Sequence, residues 1–233
     1  MQLGVIVSPA AGWTYAELAS LATDAERAGF ESFWASDHLF GGEGVPDRDC
    51  LEAWTLLAAL GRDTKKIRLG CLVTAAQYRN PALLAKIVAG VDQAVCAPKP
   101  KQQPYPPIWI GGNKPRVIRV AARLADGFDI SRGSQQSGPL SGADMRARID
   151  ELRVACETMK RERPLRTPHW SSVELEADRA SVQALRELIA AYASAGLDRF
   201  ILAFPMERAG EMVRRAGELH LKLIPGVIPR KDC

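Results

Sequence analysis

Several things are scarce in this chain of 233 residues, and each scarcity removes a class of function. No apolar run approaches the roughly 20 residues that a membrane-spanning helix needs. The start, Met1-Gln-Leu-Gly-Val-Ile-Val7, carries no charged leader and reads as a first strand rather than a secretion signal. Aromatic residues make up 6% of the chain and the net charge is +4, which leaves neither a stacking platform nor a basic stripe for nucleic acid. The one basic cluster, Lys160, Arg161, Arg163 and Arg166, is interrupted by Glu162 and prolines and reads as a solvated helix end and loop. The five cysteines (Cys50, Cys71, Cys96, Cys156, Cys233) are odd in number and scattered. None forms a Cys-x-x-Cys pair, so neither a zinc site nor a disulfide framework is indicated. The expectation is a cytoplasmic, reduced, metal-free protein with no nucleic-acid or membrane partner.

What is present is an ordinary globular composition, 47% hydrophobic and 25% charged, in a chain long enough for one large domain or two small ones. Strands and helices alternate along it. Leu3–Val7 is an apolar strand. Thr14 and Glu17 make a capping box for a helix that puts Leu18, Leu21, Ala22 and Ala25 on one face and stops at Gly29. Ser32–Ser36 is the second strand, followed by a glycine-rich loop over 41–49. A helix over Leu51–Leu60, ending at Gly61, places Trp54, Leu57 and Ala58 toward the core. Ile67–Val73 is the third strand, and Pro81 opens a helix to Val91. Prolines at 98, 100, 104, 106 and 107 then exclude regular structure over 94–107. The rhythm resumes with strand Ile108–Ile110, a tight turn at Gly111-Gly112-Asn113, helix Pro115–Ala125 and strand Phe128–Ile130. A Ser/Gly/Gln loop over 131–142 leads to helix Ala143–Met159, strand His169–Leu175, helix Ser181–Ala195 with Gly196 as its stop, strand Arg199–Phe204 and helix Met206–Leu221. The fold class is α/β. About seven short buried strands with helices outside approach the eight of a (β/α)8 barrel.

In such a fold, function gathers at the carboxyl ends of the strands. Asp37 and His38 fall where the second strand ends. Alone the pair reads as a turn acid and a surface histidine; at a strand end in a βα series it becomes a candidate acid–base pair, because imidazole exchanges protons near neutral pH. Gly111, Gly112 and Asn113 lie between a strand and a helix. There, glycine lets backbone N–H groups approach an anion, the helix presents its positive end, Asn113 can cap it, and Lys114 and Arg116 add charge. Cys71, flanked by Leu69 and Leu72, reads as a small buried hydrophobe rather than a catalytic thiol. His169 and His220 have no acid at useful spacing and read as structural or surface residues. Arg79 is open between reaching into a site and holding a loop.

Several of these segments together resemble one family. Leu3-Gly-Val-Ile-Val7, Trp34-Ala-Ser-Asp-His38, Glu52-Ala-Trp-Thr-Leu-Leu-Ala-Ala-Leu60, Ile67-Arg-Leu-Gly-Cys-Leu-Val-Thr74 and Tyr78-Arg-Asn-Pro-Ala-Leu-Leu-Ala-Lys86 are similar to the first three βα units of the bacterial luciferase-like monooxygenases. Cys96 through Pro107 to Trp109-Ile-Gly-Gly-Asn113, Ala121–Gly127 and Ala195–Pro205 resemble later strands and helices of the same family, closest to the branch that uses the deazaflavin coenzyme F420. The resemblance implies an acid–base role for His38, with Asp37 beside it as orienting or cofactor-contacting partner. It also implies a non-proline cis peptide at Cys71–Leu72 supporting the cofactor ring, and a phosphate contact at Gly111, Gly112 and Asn113. Coenzyme F420, or FMN as the alternative, is the implied cofactor, and a homodimer the implied assembly.

One departure from the family is plain. Val91-Asp-Gln93 runs directly into Ala94, where the family inserts a fourth βα unit and a long insertion. The expectation is therefore a single luciferase-like domain over residues 1–233 with an incomplete barrel. Three readings of its function stay open: a flavin- or deazaflavin-dependent oxidoreductase acting on a small organic molecule, an FMN-dependent monooxygenase, and a shortened non-catalytic cofactor-binding or interaction protein.

Overall fold

Each apolar run with turn residues on both sides forms a strand, and each stretch with a 3.6-residue apolar period forms a helix packed on it. A computed structural model describes residues 1–40, 48–95, 105–130, 139–176 and 178–223, with side chains of 93–95 and 220–223 outside that description. The glycine-rich loop, most of the proline-rich stretch and most of the Ser/Gly/Gln loop lie outside the described residues, as do Cys96, Cys233 and the His220 side chain. The chain divides into two compact units, Val5–Pro106 with Met206–Cys233, and Met1–Gly4 with Pro107–Pro205.

The first unit takes the later residues of β1 (Gln2–Val7), then α1 (Tyr15–Arg27), β2 (Ser32–Ala35), α2 (Ala53–Asp63), β3 (Arg68–Cys71) and α3 (Pro81–Val95). Its strands lie in the order β3-β2-β1. The expected capping box closes the start of α1: Thr14 N–H donates to Glu17 Oε2 at 2.8 Å and Glu17 N–H to Thr14 Oγ1 at 3.3 Å. Leu18, Leu21, Ala22 and Ala25 form its buried face, as their spacing predicts. Gly61 does not stop α2. It lies on the buried face with Ala53, Leu57 and Leu60, and packing there outweighs the roughly 1 kcal/mol that glycine costs a helix interior. Trp54 and Ala58, expected in the core, are only half-buried.

β2 and β3 pair in parallel, with Trp34 opposite Gly70 and Ala35 opposite Cys71. The Trp34 indole donates to Ser32 Oγ at 2.8 Å and lies across Gly70. A Cβ on Gly70 would come within 2.4 Å of a Trp34 ring carbon. Gly70→Ala is therefore expected to cost about 1–3 kcal/mol by overpacking, read as a lower urea midpoint. An unchanged midpoint would show that the ring moves aside freely.

The second unit holds β4 (Trp109–Gly112), α4 (Pro115–Leu124), β5 (Gly127–Ile130), α5 (Gly142–Thr158), β6 (Pro168–Ser172), α6 (Arg179–Ala195) and β7 (Arg199–Ala203). The start of β1 completes the order β1-β7-β6, while β4 pairs with β5, and Gly127 of β5 makes an isolated parallel bridge to Arg166 ahead of β6; among the described residues the strands form two sheets rather than a closed ring. Tyr192, fully buried, meets Phe200 edge-on at 5.0 Å, and the His169 ring stacks on Phe200 at 6.1 Å. His169 Nδ1 lies 2.6 Å from the Ile130 carbonyl, so this histidine belongs to the core. Gly196, at φ 100°, ends α6 as expected. The tight turn expected at Gly111-Gly112-Asn113 is not one. Gly111 and Gly112 continue β4, because their backbone is in register with Asp129 and Ile130 on β5. The final helix, α7 (Ala209–Leu223), returns to the first unit. It packs on α1, with Arg214 Nη1 2.8 Å from Asp24 and Gly217 so close to Ala28 that a Cβ would stand 2.4 Å from the alanine methyl.

Candidate active site

β2 and β3 finish on the same rung, so the segments Ser36-Asp37-His38 and Leu72-Val73-Thr74 leave the sheet together at its carboxyl end. Asp37 is 6% exposed and its two oxygens are spoken for. The Ala75 N–H donates to Oδ2 at 2.9 Å, and the Arg79 guanidinium forks onto both oxygens, Nη2 to Oδ1 at 2.9 Å and Nη1 to Oδ2. Arg79 Nη2 also donates to Glu52 Oε1 at 2.6 Å. One buried cation therefore holds two carboxylates from different elements, and hydrogen bonding to Asp37 is the main cause that raises its own pKa. Burial works against the charge of Glu52, but the hydrogen bonds it accepts from the Thr55 N–H and Arg79 hold it below the usual carboxylate range.

His38, next in sequence, lies on the surface. Its carbonyl accepts from the Cys50 thiol at 3.4 Å. The acid and the imidazole thus occupy different surroundings: Asp37 is turned to Arg79 and Ala75, and His38 is presented to solvent. Burial pushes the Cys71 thiol up to about 12, which keeps it protonated and fits an inert residue.

The cis peptide lies one bond further on than expected, between Leu72 and Val73. The reason is register. The Leu72 N–H still donates to the Ala35 carbonyl at 2.9 Å, so the Cys71–Leu72 peptide is a rung of the sheet and the departure starts after it. Leu72 is 4% exposed, whereas Val73 is 44% exposed and is the side chain this loop offers to a ligand. The same strand-end segments expose Leu39, Phe40 and Tyr78. Ser36 Oγ and Trp54 Nε1 are buried polar atoms without hydrogen-bond partners. Exposed apolar side chains at this strand end suit a flat, mostly apolar ligand.

Gly111, Gly112 and Asn113 belong to the other unit. All three are half-buried at the end of β4. Asn113 does not cap α4. Lys114 is the capping residue, with no side-chain cap bond and Pro115 following, so the N-terminus of this helix stays open. Gly112, at φ 153°, would place a Cβ 3.0 Å from Val117, so helix packing as well as ligand approach favours glycine there. Among the described residues no group of three or more His, Cys, Asp and Glu side chains could hold a metal ion, and no helix is long and apolar enough to cross a membrane.

Sequence reasoning missed the Asp37–Arg79–Glu52 clamp and the exposed Val73. Arg79 was visible as a candidate in its Tyr-Arg-Asn-Pro segment, but its partners lie 42 and 27 residues away.

Comparison with known proteins bears on this arrangement. Residues 1–96 match the family Luciferase-like monooxygenase. An F420-dependent secondary alcohol dehydrogenase, solved in complex with an F420–acetone adduct, aligns over 97% of this chain and 99% of its own at 14% identity and a TM-score of 0.71. The coenzyme F420 dependent tetrahydromethanopterin reductase of Methanopyrus kandleri aligns over 96% and 99% at 11% identity and a TM-score of 0.72. The oxygenating constituent of 3,6-diketocamphane monooxygenase of Pseudomonas putida, in complex with FMN, aligns over 85% and 80% at 14% identity and a TM-score of 0.55. No curated protein sequence matches the chain. At these identities the structural likeness speaks for the fold, an incomplete (β/α)8 barrel. Residues 1–96 therefore match the luciferase-like monooxygenase family, and the chain as a whole shares the α/β fold of these solved structures.

Proposed function

We propose that this protein is a flavin- or deazaflavin-dependent oxidoreductase acting on a small organic substrate, with coenzyme F420 as the preferred cofactor and FMN as the alternative. The observation that carries the reading is the divided pair at the end of β2: a buried Asp37 locked by Arg79, beside a solvent-facing His38, at the carboxyl end of the sheet. A bound flavin or deazaflavin supplies hydride transfer or oxygen activation. The chain supplies the rest. As a substrate gives up a hydride from carbon, His38 takes the proton from its heteroatom, and returns it in the reverse direction. Asp37 stays with Arg79 and holds the β2 loop in place. Val73, Leu39 and Phe40 give the ring an apolar rest, and the Cys71–Leu72 peptide is the fixed rung behind them. In the other unit, Gly111, Gly112 and Asn113 at the end of β4 offer backbone N–H groups to an anion such as a phosphate.

Titration with oxidised and reduced F420 and with FMN, followed by fluorescence quenching, tests this. Micromolar binding of F420 supports the first choice, and binding of FMN alone selects the monooxygenase alternative. Binding of neither sinks both and leaves a non-catalytic protein.

A further inference from the structure

The first unit is uncovered on one side. β3 is the last strand of its sheet there, and no described strand pairs with its outer edge. The helix layer stops at the same place: α7 packs on α1, α1 on α2 and α2 on α3, and α2 also covers β3. The last helix in that row is apolar nearly all round. Between Pro81 and Val91 its only charge is Lys86. None of its described side chains is fully buried, and Leu83 is 55% exposed. A helix apolar on every side belongs in an interior rather than in water, and at 15 residues α3 is too short to span a bilayer.

The strand edge shows which backbone groups are on offer. Arg68 and Leu72 turn their N–H groups inward, to the Glu31 and Ala35 carbonyls at 3.0 and 2.9 Å. Bonding alternates along a strand, so Leu69 and Cys71 turn N–H and C=O outward. Native sheets guard such an edge with lysine, proline or another charge, and Leu69-Gly70-Cys71 holds none of these. The stretch after α3 is not suited to cover it. Pro98, Pro100, Pro104, Pro106 and Pro107 interrupt that stretch, and proline cannot donate to a ladder.

A second copy of the same edge brings matching groups. With a two-fold axis at Gly70 the pairing is antiparallel, Leu69 of each copy stands opposite Cys71 of the other, and each such pair exchanges both of its N–H···O=C bonds. Glycine meets glycine at the crossing, so no side chain stands in the way, and the Trp34 ring already lies over that position. Arg68 is paired with Glu31 at 3.7 Å. Its counterpart would be roughly 13 Å away along the joint at about 3.3 Å per residue, beyond the reach of like-charge repulsion in physiological salt.

We propose that this protein self-associates through the outer edge of β3: two copies join antiparallel at Gly70 into one continuous sheet, with their α3 helices packed against each other beside the joint. Self-association of this kind needs no cofactor and is independent of the function proposed above.

Sedimentation velocity of the full-length protein over a micromolar concentration series is expected to show a dimer. Leu69→Pro removes an outward N–H and none of the bonds to β2. Leu69→Lys puts a charge on the edge and carries the test if proline proves too disruptive to fold. Both should weaken the dimer at least tenfold with an unchanged far-UV circular dichroism spectrum, and Leu83→Glu should do the same from the helix side. Amide hydrogen exchange reads the joint itself: the segment holding Leu69 and Cys71 should be protected in the unaltered dimer and exchange faster in Leu83→Glu. A monomer at every concentration overturns the inference. So does a dimer that a folded Leu69 variant leaves intact, or one in which that segment exchanges as fast as in Leu83→Glu.

Discussion

His38→Ala is expected to lower turnover by about 10²–10⁴-fold, the range that a positioned acid or base contributes, while cofactor affinity changes by less than about threefold. The split follows from where the side chain stands. His38 lies on the surface at the end of β2, and the carboxylate beside it is fastened elsewhere, to Arg79 and the Ala75 N–H. Losing the imidazole therefore leaves no buried group unpartnered and removes only the proton carrier. The unfolding midpoint should stay where it is, within about 0.5 kcal/mol, as for surface substitutions elsewhere. His38→Gln, which keeps size and polarity but cannot carry the proton, should be as slow as the alanine variant. A glutamine variant with near-native turnover would assign His38 to hydrogen bonding alone, and unchanged turnover in both would take it out of the chemistry.

What could be read from the sequence was what local chemistry decides. The seven strands, the Thr14–Glu17 capping box and the Gly196 stop all follow from residues next to one another, and each stands within a few residues of its expected place. Glycine is not always punctuation, because tertiary contacts have another use for it. Gly61 serves the buried face of α2, and Gly111 and Gly112 are rungs opposite Asp129 and Ile130. The cis bond was placed one residue early because register sets where a strand stops pairing, and register is a property of two strands. His169 shows the same limit from the other side. An isolated histidine in an alternating strand carries no sign that its ring will join a cluster with Tyr192 and Phe200. The candidate site was legible as positions rather than as bonds. Asp37 and His38 stand at a strand end as the βα rhythm requires, but no spacing rule pairs Asp37 with Arg79 instead of its neighbour.

That pairing leads to the largest expected loss of stability. Arg79→Met should cost about 3–5 kcal/mol, the penalty for stripping one partner from a buried ion pair, because the Asp37 side chain is only 2% exposed and keeps just the Ala75 N–H. Methionine fills much of the same volume, so the loss is electrostatic rather than a cavity. Glu52 contributes little to it, since its side chain is 44% exposed and water takes over as partner. Arg79→Lys should recover only part of the stability, because an ammonium cannot fork onto both oxygens of Asp37 and reach Glu52 as well. The double variant Asp37→Asn, Arg79→Met separates the two partners. An unpaired amide is cheaper to bury than an unpaired carboxylate, so the double variant should be more stable than Arg79→Met alone. Chemical denaturation of the unaltered protein, the single variants Asp37→Asn and Arg79→Met, and the double variant reads the coupling directly. A double variant no more stable than the single one would show that Arg79 acts through Glu52, and that the carboxylate beside His38 needs no cation to stay buried. If the clamp works as its geometry indicates, cofactor binding should weaken in Arg79→Met more than in His38→Ala, because the arginine ties the segment after Val73 to the end of β2 and the imidazole ties nothing.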